Sequence, residues 1–181
     1  MENTGFSVDP SKRHLLATAY EASEKGFIPY QGNHLGIINA MDIPAAFESG
    51  GAGLVSSIDD YKIFTQMLLN EGEWNGVRIL RPKTVRFLTS EGLDALQQDG
   101  LKDWTDLTGY SYGNLMRILK RPGQAMSLGS EGEYGWDGWL GCYFSNSPKD
   151  KLTILFMHQK KDSGIIPTLR KARNLIYANL T

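Results

Sequence analysis

The sequence predicts an α+β fold in which helices pack on a small antiparallel sheet. Apolar residues recur at helical spacing in two segments, residues 58–69 and the C-terminal stretch, and this spacing predicts an amphipathic helix in each. From residue 110 onward the pattern shifts toward a period of two, which is typical of strands. With 181 residues, 41% of them hydrophobic, the chain is long enough to bury a sizeable core in one domain.

A capped helix is predicted after the glycine-rich residues 50–53. Ser56 and Asp59 have the spacing of a helix-capping pair, with aspartate in place of the usual glutamate or glutamine. The sequence Asn-Glu-Gly at residues 70–72 then ends the helix. A second, short helix is predicted from Pro82, because proline suits the first helical position. The apolar stripe of the first helix comprises Ile58, Tyr61, Phe64, Met67 and Leu68.

Two segments near the C-terminus are the strongest strand candidates. They are residues 133–145 and 151–160, and the turn-forming residues 146–150 between them predict a hairpin. Apolar residues on both faces of the second segment predict a central strand that is covered on two sides. Residues 92–108 are polar and irregular and are interpreted as a loop. One apolar face predicts a C-terminal helix, with Ile165, Leu169, Ala172, Ile176 and Leu180.

The chain is therefore expected to form a single, partial domain. Residues 1–50 are rich in turn formers and are interpreted as an irregular segment that wraps over a partner surface. Residues 51–90 form the helical segment, and residues 109–181 supply the antiparallel strands and the C-terminal helix.

Composition and charge exclude several classes of partner. Nineteen basic and twenty acidic residues give a net charge of −1, so no basic excess is available for nucleic acid. No apolar run approaches the roughly 20 residues that span a bilayer, and no membrane segment is predicted. Residues 1–6 do not resemble the start of a signal peptide, and any signal of a longer parent protein would lie upstream, so the localisation stays open.

Residues that could bind a metal or act as a nucleophile are interpreted as structural where no pattern connects them. The three histidines are widely spaced and show no ligand pattern, so neither a metal nor a cofactor is predicted. His158 is interpreted as a structural histidine with satisfied hydrogen bonds, and Cys142, the single cysteine, as a buried thiol. The basic residues at 170, 171 and 173 are interpreted as a solvated helix face.

Four segments in one order carry a recognisable pattern. Residues 3–6 read NTGF, residues 50–61 read GGAGLVSSIDDY, residues 75–85 read NGVRILRPKTV, and residues 134–141 read YGWDGWLG. Together they resemble the serine β-lactamase-like family, which includes class C β-lactamases, family VIII carboxylesterases and D-aminopeptidase-type penicillin-recognising enzymes. The resemblance implies the C-terminal portion of a β-lactamase/transpeptidase-like fold.

The last of these segments resembles the third catalytic motif of the family, so Trp136, Asp137 and Gly138 are implied to bind substrate. Trp139 follows, and the resemblance implies that its backbone N–H helps to form the oxyanion hole. A glycine at position 138 suits the role because a side chain there would block the approach of the substrate. The motif has no lysine at Trp136, which favours ester or peptide-like substrates over β-lactams. The acidic Asp137 would disfavour anionic substrates.

The family's nucleophile is the serine of Ser-x-x-Lys, and no serine of this chain is followed by lysine three residues later. Two matches to the second family motif, Tyr-x-Asn, begin at Tyr112 and Tyr177, and both are interpreted as chance because they lie in the wrong part of the sequence. Two hypotheses stay open. The chain is the C-terminal part of a serine hydrolase that acts on esters, amides or β-lactams through an acyl-enzyme, or it is a non-catalytic module that stands alone or self-associates.

The resemblance also implies a partner. Met1 aligns with the methionine of the family's LGM sequence, so the segment that carries the nucleophile would precede it. That missing N-terminal segment, or a second copy of the chain, is expected to cover an exposed sheet edge. The parent enzyme would act on a small-molecule ester, amide or β-lactam.

Overall fold

The computed structural model describes residues 1–39, 41, 46–163 and 166–180. A five-stranded antiparallel sheet forms the centre, and its strands follow one another in chain order. The strands are β5 (Tyr110–Tyr112), β6 (Arg117–Leu119), β7 (Tyr134–Asp137), β8 (Tyr143–Ser147) and β9 (Leu152–Phe156); two hairpins precede them, β1 (Tyr20–Ser23) with β2 (Gly26–Pro29) and β3 (Glu73–Trp74) with β4 (Val77–Arg78). The helices are α1 (Ile58–Leu69), α2 (Pro82–Leu88), α3 (Ala95–Gly100) and α4 (Pro167–Ala178).

Helix α1 begins one residue later than the predicted capping pair requires. Ser57 is the N-cap, and its side chain accepts a hydrogen bond from the Asp60 N–H at 3.2 Å. Ser56 instead contacts the hydroxyl of Thr4, at 2.8 Å between the two oxygens. The prediction of Ser56 with Asp59 was therefore wrong by one position. The helix ends as predicted, since Gly72 has φ +95° and any side chain there would collide with the Leu80 carbonyl.

The two faces of the sheet bury different kinds of residue. On one face, α1 packs Met67 and Leu68 against Ile118, Tyr134 and Phe144 of the sheet. This contact forms the larger apolar core, and the sheet side chains in it alternate as expected for a face that is covered by a helix. Trp136 lies two residues after Tyr134, so strand alternation places its side chain on the same face of the sheet, towards helix α1.

The other face of the sheet is covered by α4. Leu169 is fully buried and packs against Tyr143 and Ile154, while Ile176 lies at the border of this cluster. Arg173 is also buried, with an exposed fraction of 1%. The interpretation of residues 170, 171 and 173 as a solvated face was wrong for Arg173, because a buried carboxylate pairs with it. Of the predicted apolar stripe, Leu180 follows the helix and is exposed, and Ile165 lies outside the described residues.

Three segments differ from their predictions. Residues 133–145 contain the whole of β7 and the start of β8, with a tight turn between them in which Gly141 adopts φ +88°. The segment 151–160 supplies β9, which is shorter and lies at the edge of the described sheet instead of its centre. The predicted loop 92–108 contains α3 and two short 3₁₀ helices. Asp94 caps α3 with a capping box, which was not recognised because the polar composition of residues 92–108 favoured a loop.

The N-terminal segment contains the hairpin β1–β2, which the sequence patterns did not predict. Gly26 has φ +105° and makes the reversal. The hairpin is attached to the chain beyond β9 by two hydrogen bonds, from the Tyr20 N–H to the Gln159 carbonyl and from the Lys161 N–H to the Tyr20 carbonyl, both at 2.8 Å. Among the described residues, no helix is long and apolar enough to cross a membrane.

Candidate functional site

The motif residues lie at the end of β7. Register with β8 pairs Trp136 with Phe144 and Asp137 with Tyr143. Trp136 and Asp137 point to opposite faces, as consecutive strand residues must. Trp136 packs at the border of the α1-side core and places its ring 5.3 Å from that of Tyr112.

A tight turn follows β7 and presents the backbone of Trp139. The Gly138 N–H donates to the Cys142 carbonyl at 2.7 Å, and the Gly141 N–H donates to the Gly138 carbonyl at 2.8 Å. The Trp139 N–H lies between these two donors and finds no hydrogen-bond acceptor among the described residues. Gly138 is exposed beside it. A backbone donor that is held in place and left unpaired can donate to a ligand oxygen.

Residues 158–163, which follow β9, hold this turn in place through hydrogen bonds. The Ser163 N–H donates to the Trp139 carbonyl at 3.2 Å, and the Lys160 N–H donates to the Leu140 carbonyl at 3.0 Å. The indole N–H of Trp139 donates to a carboxylate oxygen of Asp162 at 2.6 Å. Both the backbone and the side chain of Trp139 are therefore tied to one neighbouring segment.

The ring of Trp139 forms one wall of a cavity of about 290 Å³. It lies 5.5 Å from the ring of Tyr30 and 4.8 Å from that of His34, measured between centroids. Lys161 and Asp162 complete the lining and place one charge of each sign at the cavity. Sequence reasoning missed Tyr30, His34, Lys161 and Asp162. Tyr30 and His34 lie more than a hundred positions before Trp139, and no local pattern connects either of the two pairs to it.

Asp137 forms an ion pair behind the motif. Its Oδ1 accepts a hydrogen bond from Nη1 of Arg117 at 2.7 Å. The Arg117 side chain is 1% exposed, whereas that of Asp137 is 22% exposed. Burial raises the pKa of Asp137 above its ordinary range, and the neighbouring Arg117 charge opposes that rise. The carboxylate that the motif presents is thus partnered by a cation that the sequence analysis did not identify.

His158 is not the fully satisfied histidine that was predicted. It follows β9, and its Nδ1 is buried without a hydrogen-bond partner among the described residues. Ser163 has a buried hydroxyl in the same condition, and both side chains lie against Gly141. Cys142 is half-buried; its thiol donates to the His158 carbonyl at 3.3 Å.

The second Tyr-x-Asn match lies in a structural network. The Tyr177 hydroxyl contacts the Glu133 carboxylate, and burial, followed by the charge of Glu133, raises the pKa of Tyr177. Tyr112 ends β5 and its ring contacts Trp136. Within the part of the chain that the structure describes, no three metal-ligating side chains come together.

The fold and the third-motif segment define a protein of the serine β-lactamase-like class. The family model described as Beta-lactamase matches residues 1–177, and the chain belongs to that family. The predicted resemblance is thereby confirmed.

Individual relatives cover the chain well but are much longer. Protein Rv1367c of Mycobacterium tuberculosis is 28% identical over 167 residues, which are 88% of this chain and 40% of that protein. A putative D-alanyl-D-alanine carboxypeptidase of Escherichia coli is 26% identical over 117 residues, 65% of this chain and 24% of that protein. The chain thus spans less than half the length of these relatives.

Solved structures confirm the predicted fold. A LovD6 mutant of simvastatin synthase (LovD) from Aspergillus terreus has a TM-score of 0.78 at 17% identity, with 98% of this chain and 46% of that chain covered. EstCE1, a hydrolase with promiscuous acyltransferase activity, has a TM-score of 0.75 at 21% identity, with 99% and 46% covered.

Proposed function

We propose that this chain supplies the oxyanion-side half of a serine hydrolase site that cleaves small esters, amides or β-lactams through an acyl-enzyme. The observation that carries the proposal is the unpaired N–H of Trp139, which is held on a tight turn directly after the third-motif strand. Trp136, Asp137 and Gly138 then form the substrate-binding side of the site. Names of relatives, a carboxypeptidase and an acyl-transferring hydrolase among them, support acyl transfer as the reaction type.

In this mechanism a serine oxygen from another polypeptide segment attacks the carbonyl carbon of the substrate, and the serine proton passes to the lysine of the same Ser-x-x-Lys motif. Negative charge develops on the carbonyl oxygen, and the Trp139 N–H donates a hydrogen bond to it. One such donor contributes a factor of about 10²–10³ in rate, since it strengthens as the charge develops. The hydrogen bonds of Trp139 with Ser163 and Asp162, and that of Lys160 with the neighbouring Leu140, hold the donor still, so little reorganisation is needed during the reaction. The bond to the leaving group then breaks, the alcohol or amine departs with a proton, and water hydrolyses the acyl-enzyme.

The nucleophile is the part of the site that this chain does not provide, because no serine in it has a lysine three residues on. We propose that a segment carrying Ser-x-x-Lys binds the chain and completes the site, and that a second copy of the chain is the alternative partner. Strand β9 supports both proposals, because it lies at the edge of the described sheet and edge strands pair readily with another chain.

Hydrolysis assays on the purified chain test this assignment. A short-chain p-nitrophenyl ester and a chromogenic cephalosporin should show no turnover above buffer. Adding a separate polypeptide with the family's N-terminal segment should produce turnover of the ester. Turnover by the chain alone that a serine-directed phosphonate abolishes would contradict the proposal and would identify a different nucleophile. Size-exclusion chromatography with light scattering tests the second-copy alternative, which a monomer would exclude.

A second candidate is a non-catalytic module that stands alone or self-associates. The lack of Ser-x-x-Lys favours it. If the N-terminal segment binds the chain but no ester or cephalosporin is hydrolysed, the module hypothesis gains the stronger support.

A further inference from the structure

Arg117 is a charged residue in an almost closed aromatic environment. Its guanidinium carbon lies 4.6 Å from the centre of the Tyr143 ring, 5.9 Å from that of Tyr110 and 6.0 Å from that of Trp136. Its side chain is 1% exposed. The rings stabilise a cation but accept no strong hydrogen bond. A guanidinium in this position needs an oxygen partner, because a buried charge without one is costly.

Asp137 provides that partner, and it does so from the solvent side. Among the described residues, its carboxylate is the one acidic group within salt-bridge distance of Arg117, with 2.7 Å between Nη1 and Oδ1. The other contact of the guanidinium is weak, a 3.4 Å bond from Nη2 to the Phe144 carbonyl. Asp137 is 22% exposed. Removing its carboxyl group would therefore open a path from solvent to a buried arginine.

The pair is held by a single strong hydrogen bond. Burial raises the pKa of Asp137 despite the adjacent cation, so the attraction of Arg117 does not fully offset the loss of hydration of the carboxylate. A pair of this kind is better explained by a role at the surface it faces. Asp137 is the last residue of β7 and lies one residue before Gly138, so the surface it faces belongs to the third-motif segment.

We propose that Asp137 is the built-in occupant of an arginine carboxylate-binding site, and that its presence excludes substrates with a carboxylate at this position. With Asp137 in place, the charge of Arg117 is neutralised and an incoming anion meets a carboxylate first. The subsite then accepts neutral groups. The part of this inference that concerns substrates rests on the proposed function, whereas the occupied anion site does not.

Formate is the probe that tests the occupied site, because it has the size of the group that Asp137→Ala removes. The thermal unfolding midpoint of Asp137→Ala should rise by roughly 3–6 °C in sodium formate at about ten times its Kd, relative to sodium chloride of equal ionic strength. The wild-type chain should show no difference between the two salts. Asp137→Ser gives a second variant with the same expected response if Asp137→Ala does not fold.

A matched double variant assigns the response to Arg117. In Asp137→Ala with Arg117→Met, the side-chain volume is kept and the charge is removed, so formate and chloride should act alike. If formate stabilises wild type and the single variant equally, or if the double variant retains the response, the inference is wrong.

This measurement needs no turnover, so a failure of the proposed hydrolase function leaves it interpretable. Conversely, hydrolysis by the completed site with no formate response in Asp137→Ala would overturn the occupied-site inference alone.

Discussion

Two buried arginine–carboxylate pairs lie on the same face of the sheet, and they differ in how completely they are closed. Arg173 and Glu133 are each 1% exposed and bind through two parallel contacts, of 2.8 and 3.1 Å. Arg173 also donates to the Leu128 carbonyl and to the Ser127 hydroxyl. In the pair of Arg117 with Asp137, a single strong contact is made and the carboxylate is open to solvent.

We propose that this difference separates a structural pair from a pair at the candidate site. Arg173 joins α4 to the sheet, and its bonds leave few polar atoms unsatisfied, so the network fixes how the helix packs. Burial opposes the charge of Arg173, but the ionisable hydroxyl of Tyr143 and the charge of Glu133 raise its pKa above the ordinary value. The Asp137 carboxylate is instead partly exposed, and it can contact a group that approaches residues 136–138.

The largest expected effect comes from breaking the closed pair. Arg173→Met leaves the Glu133 charge buried without its partner and should lower the free energy of unfolding by about 3–5 kcal/mol. Urea denaturation measures this change. The control is Arg170→Met on the same helix, whose partner Asp106 is largely exposed and whose loss should cost about 0–1 kcal/mol. Equal effects of the two substitutions would show that closure does not distinguish the pairs.

The open pair should matter much less to stability. Asp137→Asn keeps an oxygen that can accept from Arg117, and it removes a charge whose burial is unfavourable. We expect the free energy of unfolding at neutral pH to change by less than about 1 kcal/mol. A loss as large as that of Arg173→Met, in the same urea titration, would contradict the division into structural and site pairs.

The smallest effect is a difference in pH dependence. The pKa of Asp137 is raised above 3.8, so the folded chain holds this proton more tightly than the unfolded chain. The protonated Asp137 side chain stabilises the folded chain at pH values below 3.8. This stabilisation is lost as the pH rises through the pKa that Asp137 has in the folded chain. Asp137→Asn should therefore gain stability relative to wild type as the pH increases over this range. A relative gain as the pH decreases would show that Arg117 lowers the pKa of Asp137 instead.

Elements that depend on local chemistry were predicted correctly from the sequence. The stripe that begins at Ile58 gave α1, and Pro82 gave the start of α2. A turn between β8 and β9 was also predicted, but it lies at residues 148–151, because Asn146 and Ser147 belong to β8. Residues 134–141, assigned to the third motif by resemblance, contain strand β7, and their role in a site stays a prediction. Each of these depends on residues within a few positions of one another.

The features that were missed depend on distant parts of the chain. Arg173 and Glu133 are 40 positions apart, and Arg117 and Asp137 are 20 apart. A basic residue in an amphipathic helix is usually solvated, and only the folded chain shows that the Glu133 carboxylate lies opposite Arg173. The same limit applies to Tyr30, whose ring reaches Trp139 only through the hairpin and the segment after β9.

The most direct test of the central claim is the removal of the Trp139 N–H in a completed site. Trp139→Pro deletes this donor, whereas Trp139→Ala keeps it and controls for the loss of the indole. With the nucleophile-bearing segment supplied, kcat for a p-nitrophenyl ester should fall about 10²–10³-fold further in Trp139→Pro than in Trp139→Ala. Equal kcat values for two folded variants would contradict the assignment of Trp139 to the oxyanion hole.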